Sequence, residues 1–175
     1  MANPNKAKGT SWETSTTHYL NDRLGLYKPN WKDLPAAQRF VDFLSPLNVK
    51  RQAQTGAKDV GDLWAWPFVI ECKDVKSAAI PAWLRQAKAE TENAGFPYGV
   101  VVHKTRSANA GRAAVHFDVR TWTRTRLQLG LPAREFWYLH GFTCTARGLD
   151  TSTWRFTTDL EQFALILRNV RNASR

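Results

Sequence analysis

The chain is poor in cysteine, methionine and acidic residues, and it has no long apolar run. Its two cysteines, Cys72 and Cys144, give no disulfide framework and have no metal-ligand spacing between them, which argues against a thiolate zinc site. No stretch approaches the roughly 20 apolar residues that span a bilayer. The N-terminal MANPNKAKGT lacks the apolar core of a secretory signal. A cytoplasmic location and no membrane partner are therefore expected. Internal repeats and low-complexity tracts are absent too, which excludes solenoids and long disordered tails. What is present is 43% hydrophobic content and eight tryptophans in 175 residues, enough for one folded domain with a sizeable core.

The scarcity of acid leaves a formal charge of +10, unevenly spread. Residues 1–103 hold 13 basic and 10 acidic side chains, whereas residues 104–175 hold 12 and 5. Of those 12, 11 are arginine, the side chain that grips phosphate bidentately and stacks on aromatic planes. A solubilising surface would explain scattered lysines, but an arginine excess points to a polyanion such as DNA.

The segment Val60 to Lys76, VGDLWAWPFVIECKDVK, carries the most chemistry. On a strand, Glu71 and Lys73 share one face while Cys72 points the other way with Ile70 and Phe68. If two strands fold back around Trp66-Pro67, Ala65 pairs with Phe68, Trp64 with Val69, Leu63 with Ile70, and Asp62 with Glu71. Opposed side chains have Cβ atoms roughly 4.5–5.5 Å apart, and like charges there repel. A divalent cation relieves that repulsion. Mg²⁺ fits because it takes oxygen ligands, keeps several waters and is commonly held by one or two carboxylates plus substrate phosphates. Lys73 would reach the same space. A lone Glu-x-Lys is usually a solvated pair, but this one follows the apolar Phe68-Val69-Ile70 and has an aspartate in matching register.

Around this segment the pattern reads as α/β. Residues 1–8 form a short basic arm and a first helix runs from about Thr10 to Leu24, packed through Trp12, Tyr19, Leu20 and Leu24. Glu13 sits early in it, where the helix dipole favours a carboxylate. Tyr27 to Pro46 is a connecting region with Phe40, Val41 and Leu44 as buried candidates. Lys50 to Gly61, KRQAQTGAKDVG, reads as a mobile basic loop able to close on substrate. Its Lys50, Arg51 and Lys58 are candidate phosphate contacts. Ile80 to Asn93 is an amphipathic helix with Ile80, Trp83, Leu84 and Ala87 on one face, ended by Gly95. Tyr98 to His103 is a strand buried on both faces. Strand, helix, strand is a crossover unit, so the second strand is parallel to the first and Glu71 lies in a central sheet. His103 and Lys104 end that strand near the substrate side, or simply at the surface. Ala113 to Val119, Phe136 to Phe142 and Thr153 to Phe156 read as strands. Thr158 to Val170 reads as a helix with a Thr158-x-x-Glu161 capping box and a stripe of Leu160, Phe163, Ala164 and Leu167.

The order Gly9-Thr-Ser-Trp-Glu13, Gly61-Asp62, Glu71-Cys-Lys73, helix and hydrophobic strand resembles the PD-(D/E)XK nuclease superfamily. Within it the likeness is to archaeal and phage-type Holliday-junction resolvases, over about residues 5–105. The resemblance implies a restriction-endonuclease-like core, a mixed central β-sheet flanked by helices in the order αβββαβ. One nuclease domain would then span 1–175, with its core at about 8–120 and an arginine-rich elaboration at 121–175. It implies an active site of Glu13, Asp62, Glu71 and Lys73 that holds one or two Mg²⁺ ions, or Mn²⁺, through Asp62, Glu71, Glu13 and the Cys72 carbonyl. It implies a homodimer acting on four-way DNA junctions, in host cytoplasm if the gene is a phage's. Thr55 stands nearest to a functional serine of archaeal relatives, and Gln86 resembles a glutamine that some members carry on the helix after the lysine. Glycine at 61 replaces the proline of the superfamily's name. A nuclease of other specificity, for restriction, repair or nicking, and a non-catalytic DNA-binding module are the alternatives.

Overall fold

A computed structural model describes residues 4–52, 59–106 and 109–174. Its elements run α1 (Pro4–Arg23), β1 (Lys50–Arg51), β2 (Leu63–Ala65), β3 (Phe68–Lys73), α2 (Ile80–Ala94) and β4 (Tyr98–His103). Then come β5 (Ala114–Asp118), α3 (Val119–Gln128), α4 (Ala133–Leu139), β6 (Thr143–Thr145), β7 (Arg155–Asp159) and α5 (Leu160–Ala173). The class is α/β: one mixed seven-stranded sheet in the order β1-β2-β3-β4-β5-β7-β6, flanked by helices.

The hairpin register follows from the apolar pattern. Leu63 pairs Ile70, Trp64 pairs Val69 and Ala65 pairs Phe68 around a cis Trp66-Pro67 peptide. Proline in cis at the third position of a four-residue turn makes Trp-Pro workable in a two-residue hairpin. β4 runs parallel to β3, with Glu71 beside Val101 and Lys73 beside His103. The 15-residue α2 supplies the crossover, closed by Gly95 in the left-handed conformation at φ 70°.

The two faces of the sheet are covered unequally. On one, Phe68, Ile70, Val100, Val102, Val115 and Phe117 pack with Trp12 and Leu20 of α1, Trp122 of α3, Phe136 of α4 and the Leu160–Phe163–Ile166–Leu167 side of α5. Phe163 meets Phe68 edge-on at 5.2 Å and Phe117 at 6.0 Å, so the last helix shares the core of the β3 hairpin. On the other face α2 alone covers Val101, through Ile80, Leu84, Ala87 and the partly buried Trp83.

Several expectations are corrected. The first helix starts at Pro4, not near Thr10, so the residues read as an arm belong partly to α1. Val41 and Leu44, expected inside, are 65% and 83% exposed. The region around them forms the 3₁₀ turns Trp31–Asp33 and Ala36–Gln38 and an isolated antiparallel bridge between Tyr27 and Phe40, which present no continuous apolar face. Lys50 and Arg51 are not loop: β1 pairs them with Trp64 and Leu63.

Phe136 to Phe142 is not a strand. Pro132 precedes α4, and Phe136 and His140, four apart, are buried while Trp137 is half-buried and Tyr138 and Leu139 face solvent, a helical spacing and not a period of two. Phe136 is held by Trp122 at 5.5 Å and Phe142 at 5.1 Å, contacts the local sequence does not announce. The third expected C-terminal element is displaced toward the end of the chain: β7 spans Arg155–Asp159, and the cap of α5 is Asp159, whose side chain accepts from the Gln162 N–H, in place of the Thr158 box. Thr158 instead donates its hydroxyl to the His140 carbonyl at 2.6 Å.

Candidate active site on the hairpin and the crossover helix

The β2–β3 register carries Asp62 to the position opposite Glu71, immediately before the first paired residue of β2. Its Oδ2 accepts a 2.7 Å hydrogen bond from the Cys72 N–H, which ties the aspartate to the strand that holds the glutamate. Glu71 is 4% exposed. Its Oε1 accepts from Lys73 Nζ and from Gln86 Nε2 at 2.9 Å, and Lys73 also donates to Gln86 Oε1 at 3.2 Å. Gln86, read from the sequence as either a site residue or a polar helix face, thus closes a three-way polar network with the Glu-x-Lys pair.

Glu13 reaches the same space from α1, though not as a free carboxylate. Arg51 of β1 holds its Oε2 through Nε at 3.0 Å and Nη2 at 2.6 Å. A candidate catalytic acid and a candidate DNA contact are therefore partners of one another, and the Glu13 charge is still felt at Asp62 and Cys72. Lys50 lies exposed on β1. Lys104, expected to approach substrate, is engaged by Asp74 at 2.7 Å and lies over the Trp12 ring at 5.5 Å. His103 bonds the Val75 carbonyl at 2.9 Å. Thr55 and Lys58 lie outside the described residues.

One participant is missed by the sequence. Glu90, one helical turn after Gln86, is 1% exposed, and neither carboxyl oxygen has a hydrogen-bond partner among the described residues. Gln86 and Glu71 lie close enough to polarise it without meeting hydrogen-bond geometry. The available signal is the spacing: Gln86 and Glu90 are four apart and so share a flank of α2.

The electrostatics follow from crowding acids in a dry place. Asp62 is pushed up to about 7, first by burial, then by the Glu71 charge, with the Cys72 N–H pulling the other way. Glu71 rises to about 7 through burial and the nearby Glu90, opposed by Lys73. Glu90 rises to about 7 through burial and the Asp59 charge. Burial, then the Asp62 and Glu71 charges, drives the Cys72 thiol well up, so it is an inert packing group on the opposite face.

Gly61 explains why glycine stands before Asp62. Its φ is 82°, which proline cannot adopt, and an added Cβ would sit 2.3 Å from Val69 Cγ1 and 3.2 Å from Glu90 Oε2. Gly61→Ala is expected to lower the unfolding midpoint by roughly 3–6 °C, about 1–2 kcal/mol, in a thermal scan. An unchanged midpoint would contradict this close packing.

Among the described residues no group of three or more His, Cys, Asp or Glu side chains stands close enough to enclose a metal ion. The donor set nevertheless suits a hard cation that takes few protein ligands. Asp62 and Glu71 supply carboxylate oxygens whose proton affinity is raised first by burial and then by neighbouring acids, and the Cys72 carbonyl lies between Glu71 and Lys73 on the same strand. Comparison with protein-family models, with curated proteins and with solved structures finds no match in any of the three.

Proposed function

We propose that the chain is a Mg²⁺-dependent, structure-selective DNA endonuclease with a restriction-endonuclease-like core, of the Holliday-junction resolvase type. One observation carries this reading: the half-buried Asp62 and the buried Glu71 are brought together by the β2–β3 hairpin with a lysine and an amide on Glu71, and burial with the neighbouring acids pushes both carboxylates up to about 7. Asp62, Glu71 and the Cys72 carbonyl would hold Mg²⁺ or Mn²⁺, with Glu13 directly or through water. Such an ion supplies a water of lowered pKa and neutralises charge on the scissile phosphate.

The chain's own groups do the rest. Lys73, donating to Glu71 and Gln86, is placed to transfer a hydrogen bond to a phosphate oxygen as charge develops there. Gln86 holds both members of the Glu-x-Lys pair in position. Arg51, released from Glu13, and Lys50 beside it would contact the backbone of the bound strand. Two symmetric cuts in a junction call for a two-fold homodimer.

A non-catalytic DNA-binding module is the second reading. It is favoured by the Glu71–Lys73–Gln86 network and the Glu13–Arg51 pair, which satisfy those groups without an ion. Purified protein with Mg²⁺ or Mn²⁺ is expected to cut a mobile four-way junction in preference to a flap and a linear duplex. Equal cutting of plain duplex would replace the resolvase by a nuclease of other specificity, and no cutting with either ion would favour the binding module.

A further inference from the structure

The two flanks of α2 differ. Gln86 and Glu90 lie toward β3 and the candidate site, whereas Arg85 and Lys88 point the other way. They overhang a groove of about 610 Å³ whose far wall is the start of α3 and the segment from Asp150 to Arg155. Arg120 and Arg124 of α3 and Arg155 of β7 complete a ring of five cations around it. Two carboxylates also line the groove, and each accepts a backbone N–H. Asp118 caps α3 through the Thr121 N–H at 2.6 Å, and Asp150 accepts from the Ser152 N–H at 2.9 Å. Arg124 is braced against the Pro97 carbonyl at 3.1 Å and the Tyr98 ring. Arg85, Lys88 and Arg120 are exposed and, among the described residues, make no ion pair.

Five cations against two carboxylates leave the groove with a formal charge of +3, a field that draws a polyanion. We infer that this groove is a second phosphate-binding surface that takes the backbone of double-stranded DNA, apart from the site of cleavage. Duplex is favoured over single strand because the lining holds one tryptophan, Trp154, with its indole N–H tied to the Gly148 carbonyl, whereas single-strand sites rely on rows of stacking rings. The groove and the candidate site are separated by α2, about 10 Å across. The arginine excess of the C-terminal part thereby gains a place. The inference deepens the nuclease reading but needs only the DNA.

The test is fluorescence anisotropy with a labelled duplex in EDTA over a salt series. It compares wild type, Arg85→Gln/Lys88→Gln/Arg120→Gln, and a control of equal charge change off the groove, Lys28→Gln/Lys32→Gln/Arg134→Gln. All six positions are exposed, and melting curves verify folding. The groove variant is expected to bind at least about tenfold more weakly at 100 mM salt, with the slope of log affinity against log salt flattened by roughly 2–3, since each phosphate contact contributes about 0.9. The control is expected to stay within about twofold of wild type. Equal losses in both variants, an unchanged slope, or a loss confined to single-stranded DNA would overturn the groove. Wild type that binds duplex through the groove and never cuts would uphold this inference and sink the nuclease reading; junction cleavage with no groove effect would do the reverse.

Discussion

Replacing Asp62 with asparagine will cut Mg²⁺-dependent junction cleavage by on the order of 10³-fold, the scale seen when a group that stabilises transition-state charge is removed. Junction affinity will stay the same or rise. Asparagine keeps the size and the oxygen that accepts from the Cys72 N–H at 2.7 Å, so the tie between β2 and β3 survives. What goes is one of two neighbouring carboxylates that would face a bound phosphate, which would lower repulsion of DNA while removing half of the carboxylate set that would hold the ion. A second readout does not depend on activity. Wild type should gain thermal stability as Mg²⁺ is titrated, by about 2.7 kcal/mol at a hundred times the dissociation constant, and Asp62→Asn should gain much less. Cleavage at wild-type rate in the folded variant would remove Asp62 from the machinery.

The parts of the site that are readable in the sequence are those governed by local period. A fold-back centred on Trp66-Pro67 sets the register, so that Leu63 lies opposite Ile70 and both are fully buried. The apolar stripe of α2 and the glycine that stops it are equally local. Other features are hidden because their causes are distant. The α3 helix has a single large apolar anchor, Trp122, which stacks on Phe156 at 4.2 Å, and its arginines mask any stripe. The aromatic run before Phe142 reads as strand by propensity and becomes helix because Trp122 needs Phe136 beside it. Glu13 and Arg51 each read as having a ligand of their own, and nothing short of the β1 pairing brings them together. Glu90 is invisible for a different reason: a glutamate on a helix is ordinarily a solvated one.

That buried glutamate makes the second strong prediction. In metal-free protein Glu90→Gln should stabilise the fold by roughly 2–3 kcal/mol at pH 8 and by little near pH 4.5, since each pH unit between the unfolded and folded pKa is worth about 1.36 kcal/mol. Glu90 is raised from 4.5 to about 7 by burial, then by Asp59 and Asp62, with Gln86 of the same helix and Glu71 of β3 acting to lower it. Between those two values the folded chain retains a proton that the unfolded chain has lost. Wild-type stability therefore falls as pH rises through that window and levels off above about 7. The variant lacks the titrating group, so the difference between the two unfolding curves should open between pH 5 and 7 and then stay constant. Part of the gain is withheld because the new amide is still a polar group in a dry place. Denaturant unfolding of both proteins in EDTA at pH 5, 6, 7 and 8 measures it. A difference that does not change with pH would mean that Glu90 is ionised in the fold at no cost, and that the acid cluster beside Asp62 and Glu71 lacks the uncompensated charge on which a cation would act.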